Sequence, residues 1–362
     1  MSLNVVSLFS GGGGLDLGFL ANGYNIIWAS DIDKNAVDTY KHNIGNHIIQ
    51  ADLNEIDIQS IPKSKILIGG PPCQSFSLIG KRDTNDHRGK LVWKYLEILE
   101  HVNPEAFVFE NVTGILSAKD SNGNKVIDLL VRKFSELGYI VTWKIINAAE
   151  YGVPQKRKRV IIVGLKNEKF IFPEETHFDN EKGKNRFVSV EEALDDLPPA
   201  SKNISSTLKY LSEPTSDYQK EMRGKTVVVT DHYVQTTSEL DKYIIKHVKP
   251  GGNYMDVPST VNSERIKRLQ KDGGHTTCYG RLHPDNPSYT INTYFNRPNV
   301  GCNIHYKYDR LITVREALRL QSFPDDYNII SSSKKGRNTI VGNAVPPKLA
   351  AIIAKQLKKY LV

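Results

Sequence analysis

Apolar and polar positions change rhythm twice along this chain. Over the first 165 residues, short apolar runs of strand length recur at 4–9, 26–30, 48–51, 66–68, 106–109, 140–146 and 160–163. Helix-like segments at 35–43, 90–101 and 124–137 fall between several of them. Such alternation predicts an α/β fold built on a doubly wound, mostly parallel sheet. From about 166 to 310 the alternation fades, and Pro, Gly, Asn, Ser and Tyr become frequent, as in Pro250-Gly251-Gly252-Asn253. This stretch predicts a second, smaller and irregular domain. Helical texture returns at 314–321 and 346–359. The predicted organisation is a first domain at 1–166, an irregular domain at 167–310, and a C-terminal segment at 311–362 that returns to the first.

The chemically distinctive residues repeatedly follow predicted strand ends. Gly11 to Gly14 follow the first strand, Asp31 and Asp33 the second, Asp52 the third, Cys73 the fourth and Glu110 the fifth. Open α/β sheets bind ligands outside the carboxyl ends of their strands, so these residues are candidates for one crevice. Glycines in a strand-to-helix turn let a ligand approach the backbone, and an acidic residue after the next strand can accept hydrogen bonds from ribose hydroxyls. The pair fits a nucleoside-type cofactor, although such turns also bind dinucleotides or simply pack tightly. A lone Asp at a strand end, such as Asp52, is as readily a helix cap.

Pro71 and Pro72 fix the backbone just ahead of Cys73, and Gln74, Ser75 and Ser77 surround it with polar groups. An isolated cysteine is usually a small core residue, but a rigid polar loop is where a nucleophilic thiolate is placed. Phe107-Val108-Phe109-Glu110 puts a carboxylate beside an apolar strand, where it can hydrogen-bond the edge of a heterocycle. In Gln155-Lys156-Arg157-Lys158-Arg159, strand alternation predicts Gln155, Arg157 and Arg159 on one face and the lysines on the other.

Composition narrows the picture a little. A formal charge of +8 is compatible with a polyanionic partner and does not require one. Three cysteines, Cys73, Cys278 and Cys302, without Cys-x-x-Cys spacing argue against a disulfide framework or a zinc site, so no metal is expected and a cytoplasmic setting is. No run approaches the roughly 20 apolar residues of a membrane span, and no leader or anchor is expected.

Taken together, the motifs resemble the DNA cytosine-5 methyltransferase family, of the bacterial restriction-modification type. Phe9-Ser10-Gly11-Gly12-Gly13-Gly14 is similar to its first S-adenosylmethionine motif. Gly70-Pro71-Pro72-Cys73-Gln74 resembles its nucleophile loop, Glu110-Asn111-Val112 its Glu-Asn-Val motif, and Gln155-x-Arg157-x-Arg159 its basic motif. Arg315-Glu316-Ala317 to Pro324-Asp325 resembles the helix closing its variable region, and Gly342-Asn343-Ala344-Val345-Pro346-Pro347 its last motif. Order and spacing agree over nearly the whole chain.

The resemblance implies a Rossmann-like methyltransferase fold with a target-recognition domain at 167–310. It implies methyl transfer from S-adenosylmethionine to carbon 5 of a cytosine flipped out of double-stranded DNA. Cys73 would attack C6, Glu110 would bind N3 and the exocyclic amine, Arg159 would contact O2, and Arg157 would help hold the nucleophile loop. Phe9, Gly11 and Gly13 would surround the methionine part of the cofactor. Asp31 would take its ribose, Ile32 would lie on the adenine, and Asp52 would bind the adenine amino group. Pro72, Leu91 and Asn343 would complete the pocket. The family often has Glu where Asp31 stands, and some members an aromatic residue where Ile32 stands. Gln74, Ser77, Gln155, His275 and Thr290 are the expected DNA contacts, with Thr290 at a phosphate and His275 in the space the base leaves. A restriction endonuclease of the same site would be a functional partner, and a monomer is expected. Competing readings are a transfer-RNA methyltransferase, a non-catalytic DNA-binding relative, and a nicotinamide oxidoreductase. The long recognition region, the intact Cys73, Glu110 and Arg159, and the Pro-Pro-Cys loop weigh against them in turn.

Overall fold

The computed structural model describes residues 3–72, 90–120, 122–179 and 185–361. The chain divides into two units, one made of 1–147, 158–174 and 349–362, the other of 148–157 and 175–348. The second unit therefore takes its first ten residues from within the predicted first domain, and only the end of the predicted C-terminal segment belongs to the first unit.

The first unit alternates β1 (Asn4–Leu8), α1 (Gly14–Leu20), β2 (Asn25–Asp31), α2 (Lys34–Asn43), β3 (Ile48–Gln50), β4 (Ile66–Gly69), α3 (Lys90–Val102), β5 (Ala106–Val112), α4 (Val126–Glu136) and β6 (Ile140–Asn147). The chain then leaves for the second unit, where β7 (Gln155–Lys156) lies, and returns as β8 (Lys158–Leu165). The seven strands are ordered β3-β2-β1-β4-β5-β8-β6. The first five run parallel, and β8 is antiparallel to both its neighbours. The mostly parallel sheet is as predicted, with one reversed strand that the apolar pattern could not signal. Strand order reverses between β1 and β4, which makes their carboxyl ends the switch point where such sheets bind ligands.

Strands buried on both faces read as continuous apolar runs, and β4 (Ile-Leu-Ile-Gly) is buried throughout. One sheet face packs Leu67, Phe107, Phe109 and Ile162 against Tyr95 of α3 and Phe134 of α4. Two predicted boundaries differ in a way that matters. β5 was expected to end before Glu110, yet it continues to Val112 because β8 pairs with it as far as Arg159 opposite Val112. The run 155–159 is not one strand, since it breaks at Arg157 between β7 and β8.

The second unit is irregular, as its composition predicts. It contains α5 (Val190–Leu194), β9 (Leu208–Lys209), α6 (Asp217–Arg223), β10 (Val228–Val229), α7 (Glu239–His247), α8 (Glu264–Asp272), β11 (Gly280–Arg281), β12 (Ser288–Tyr289), β13 (Cys302–Ile304), α9 (Val314–Leu320) and α10 (Lys334–Asn343). Capping boxes at Ser189, Ser216 and Thr313 fix the starts of α5, α6 and α9. A local core gathers Ile244, Ile245, Tyr254, Tyr279, Ile304 and Leu311. The last helix, α11 (Pro347–Lys358), belongs to the first unit from Leu349 onward. There its Ala354 carbonyl accepts from the Tyr24 hydroxyl at 2.9 Å.

Candidate active site

The Gly-rich turn after β1 is held in left-handed backbone, with φ of 55° at Phe9, 54° at Gly11 and 88° at Gly13. A Cβ on Gly13 would lie 2.1 Å from Ile44 Cδ1, so that glycine is needed for packing against α2. A Cβ on Gly11 would meet nothing within 4 Å, so space stays open in front of the turn. Asp31 ends β2 and ties the two turns together. Its Oδ2 accepts from Gly11 N at 2.8 Å and its Oδ1 from Asp33 N at 2.9 Å. Burial raises its pKa, against these backbone hydrogen bonds, which favour the charged form. Each oxygen keeps a further lone pair for a ribose hydroxyl.

Ile32 follows, 63% exposed, an apolar side chain available to a flat ring. Asp52 after β3 accepts from Asn54 N at 2.9 Å and Asn54 Nδ2 at 3.1 Å, both through Oδ1. No helix starts here, so Asp52 caps a turn at one oxygen and is not a helix cap. Leu91 packs on the unit's core, and Pro72 is exposed. This donor set fits S-adenosylmethionine: a carboxylate for diol hydroxyls, an apolar platform for adenine and a glycine turn open to close approach.

Across β4 from this turn in strand order, β5 and β8 carry the second cluster. Arg159 Nε lies 2.8 Å from Glu110 Oε1, and both side chains are largely buried. The two are diagonal neighbours, because Glu110 pairs with Ile161 and Arg159 with Val112. The sequence assigned Glu110 and Arg159 separate duties and did not anticipate their ion pair. Gly70 sits so close that a Cβ there would fall 2.8 Å from Glu110 Oε2. Asn111 Nδ2 donates to Pro71 O at 2.9 Å, fixing the backbone two residues before Cys73. Cys73, Gln74 and Ser77 lie outside the described residues.

Other predicted residues are in the second unit. Gln155, expected to touch DNA, is fully buried. Its Nε2 donates to Leu320 O and its Oε1 accepts from Ile291 N, so both ends of the amide are engaged by backbone. These two hydrogen bonds clamp the Leu320 and Ile291 segments together, at a residue expected to meet DNA. Arg157, also fully buried, donates through Nη1 to Ile291 O and through Nη2 to Gly342 O, each at 2.9 Å. These two bonds tie it to both segments. Thr290 is exposed, with its hydroxyl donating to Lys156 O at 2.8 Å. His275 is exposed after the Gly273-Gly274 turn that ends α8, and Asn343 is exposed as the last residue of α10. Among the described residues, no group of three His, Cys, Asp or Glu could hold a metal, and no helix is long and apolar enough to cross a membrane.

The family profile of the C-5 cytosine-specific DNA methylases matches residues 3–359. The chain belongs to that family. It is accordingly a DNA cytosine-5 methyltransferase, and enzymes of this family draw on S-adenosylmethionine. It is 34% identical to the type II methyltransferase M.NgoFVII of Neisseria gonorrhoeae over 98% of this chain and 86% of that protein. It is also 34% identical to the type II methyltransferase M.MthTI of Methanothermobacter thermautotrophicus, over 100% and 98%. Among solved structures, a candidate DNA modification methyltransferase encoded within an E. coli prophage has the same fold. It superposes with a TM-score of 0.75 at 23% identity over 99% of both chains.

Sequence reading passed over three groups in this family member. Asp16, Ser7 and Tyr40 form a buried polar cluster beneath the Gly-rich turn. The available signal was a charged residue inside the apolar stretch Leu15-Asp16-Leu17. Gly70 and Asn111 were noted as motif members without a role.

Proposed function

We propose that this chain methylates carbon 5 of a flipped-out cytosine within a specific double-stranded DNA sequence, as the modification enzyme of a restriction-modification system. Its type II relatives support the second part, with an endonuclease of the same site as functional partner. S-adenosylmethionine, when bound, supplies an electrophilic methyl group. Phe9, Gly11, Gly13, Asp31, Ile32, Asp52, Pro72 and Leu91 would hold it.

Cytosine C5 is a poor nucleophile, so the ring needs activation. The Cys73 thiolate adds to C6 and makes C4-C5-C6 enamine-like. Glu110 hydrogen-bonds N3 and the exocyclic amine, and Arg159 contacts O2 and favours negative charge on the ring. The Arg159 guanidinium also holds the Glu110 carboxylate in place. C5 would then take the methyl group as its bond to the sulfonium sulfur breaks and the neutral thioether leaves; the C5 proton would pass to water, and elimination of the Cys73 thiolate would restore aromaticity. The second unit carries target recognition, with Thr290 at a phosphate and His275 filling the vacated space. The enzyme works as a cytoplasmic monomer. The observation that best supports this chemistry is the Glu110–Arg159 pair against Gly70, at the backbone leading to Cys73.

The test is trapping on duplex DNA in which the target cytosine is replaced by 5-fluorocytosine. With S-adenosylmethionine present, the wild-type chain forms a complex stable to denaturing gel electrophoresis, and Cys73→Ser forms none. A folded, cofactor-binding wild-type chain that yields no complex on DNA it methylates contradicts the covalent route.

A further inference from the structure

Beneath the Gly-rich turn lies a charged side chain that the reaction does not use. Asp16 is in the first turn of α1 and has no exposed surface. Ser7 Oγ donates to its Oδ1 at 2.7 Å, and the Tyr40 hydroxyl donates to its Oδ2 at 2.7 Å. Ser10 Oγ in turn donates to Ser7 Oγ at 2.9 Å. His47 Nε2 lies 3.0 Å from the Tyr40 hydroxyl, whose oxygen can accept while its proton points at Asp16. Both hydroxyls in contact with the carboxylate, those of Ser7 and Tyr40, donate to it, and the Ser10 hydroxyl also reaches Ser7 O at 3.2 Å.

The geometry joins two places. Ser10 is the residue between Phe9 and Gly11, so the Ser7 arm holds the Gly-rich turn from below. The Tyr40 arm holds α2, whose N-cap Asp33 directly follows Asp31 and Ile32. The Tyr40 ring also underlies Gly13, where a Cβ would come within 3.0 Å of Cδ2. A methyl donor bound as proposed above would span those same two turns.

We propose that Asp16 is a positioning residue for the methyl donor, fixing the Gly-rich turn and the β2–α2 turn in the mutual placement that binding requires. This rests on the cofactor reading of the preceding section. Burial pushes the Asp16 carboxyl up to about 6, so above that pH the carboxylate is ionised and accepts from both arms. A buried carboxylate without a countercharge is costly, and hydrogen bonds to a charged acceptor are the strong kind that offset it. Asn at position 16 would present a donor to one arm and break the common polarity.

The experiment measures equilibrium binding of S-adenosylmethionine to the full chain by calorimetry at pH 8, with steady-state kinetics on cognate DNA. Ser7→Ala, Tyr40→Phe and Asp16→Asn are compared with wild type. Each of the first two removes one arm, and affinity falls about 3–10-fold, as for one lost hydrogen bond. Asp16→Asn loses about 10-fold or more, since two charge-assisted bonds are disturbed. KM for the cofactor rises in parallel, while kcat at saturating cofactor and KM for DNA stay within about 2-fold, the outcome if only positioning is lost. Leu130→Ala, a core change in α4 of the same unit, lowers the melting temperature without moving cofactor affinity. Should Asp16→Asn fail to fold, the single-arm variants carry the test. Folded arm variants with wild-type affinity overturn the proposal, as does an equal loss in Leu130→Ala. A wild-type chain that binds no S-adenosylmethionine overturns the cofactor reading and this inference together, an outcome distinct from the other two.

Discussion

The two units solve the same backbone problem by opposite means. In the first, seven strands pair in one sheet, so main-chain N–H and C=O groups satisfy each other and the buried side chains are mostly apolar. In the second, no strand among the described residues exceeds three residues. There, buried arginines take up the carbonyls that no ladder reaches. Arg157 donates to Ile291 and Gly342, Arg281 to Ile245, His305 and Tyr308, and Arg315 to Thr230, Pro324 and Tyr327. A guanidinium offers five donors in a rigid fork, which suits it to gathering carbonyls from separate segments. The charge is balanced by buried acids, as where Arg319 bonds both Asp196 and Asp325, and Arg310 bonds Glu316. Burial alone would raise the Glu316 carboxyl, but Arg310 and His305 hold it well below the ordinary range. Irregular loops can thus be held together by side chains without a sheet beneath them.

The sharpest way to break this contrast is to remove one guanidinium. Arg319→Leu leaves Asp196 and Asp325 buried with diminished compensation, and should cost about 3–5 kcal/mol in urea denaturation. A loss below about 1 kcal/mol would mean the network is incidental to stability. The ion pair of the first unit should behave differently, because the proposed function puts its value in chemistry. Glu110→Gln should lower turnover about 100-fold, the scale of one lost transition-state contact, with a stability change near 1 kcal/mol.

Acid sharpens the comparison, since the two units respond with opposite signs. In the second unit, burial holds His305 down to about 4, although Glu316 pulls the other way. Its neutral form contributes stability that is complete above pH 6.5 and is lost as pH falls toward 4. In the first unit, the Asp16 carboxyl is raised to about 6, so the fold is favoured when it is protonated and loses stability as pH rises from 4 to 6. Relative to wild type, His305→Asn should gain as pH falls through that window and Asp16→Asn should gain as pH rises. Each swing is on the order of 2 kcal/mol, read from denaturation curves at half-unit steps. Parallel trends would refute the contrast. The smallest effect is at Ile32, where Ile32→Ala should weaken cofactor binding about 3–10-fold from lost apolar area and leave stability within about 0.5 kcal/mol.

Most of the first unit was legible because its signals are local. Apolar runs bounded by turn residues located every strand of the sheet, and the helix expected at 124–137 forms as Val126–Glu136. β1 stops one residue short of its apolar run because Phe9 turns to φ 55°. Glu110 was expected beyond its strand and lies within it, since strand length here is set by the partner β8, which sequence pattern does not display. The second unit resisted reading for a deeper reason. Its buried Arg157, Arg315 and Arg319 look like surface residues to any hydrophobic pattern. Strand alternation put Gln155, Arg157 and Arg159 on one face, and the break at Arg157 removes the premise of that argument.

The central claim is that this chain methylates cytosine at carbon 5 in DNA, and bisulfite sequencing tests it most directly. Plasmid DNA from cells expressing the wild-type chain should show protected cytosines confined to one short sequence context, and DNA from cells expressing Cys73→Ala should show none. Complete conversion at every cytosine, from cells in which the folded wild-type chain binds S-adenosylmethionine, would contradict the account.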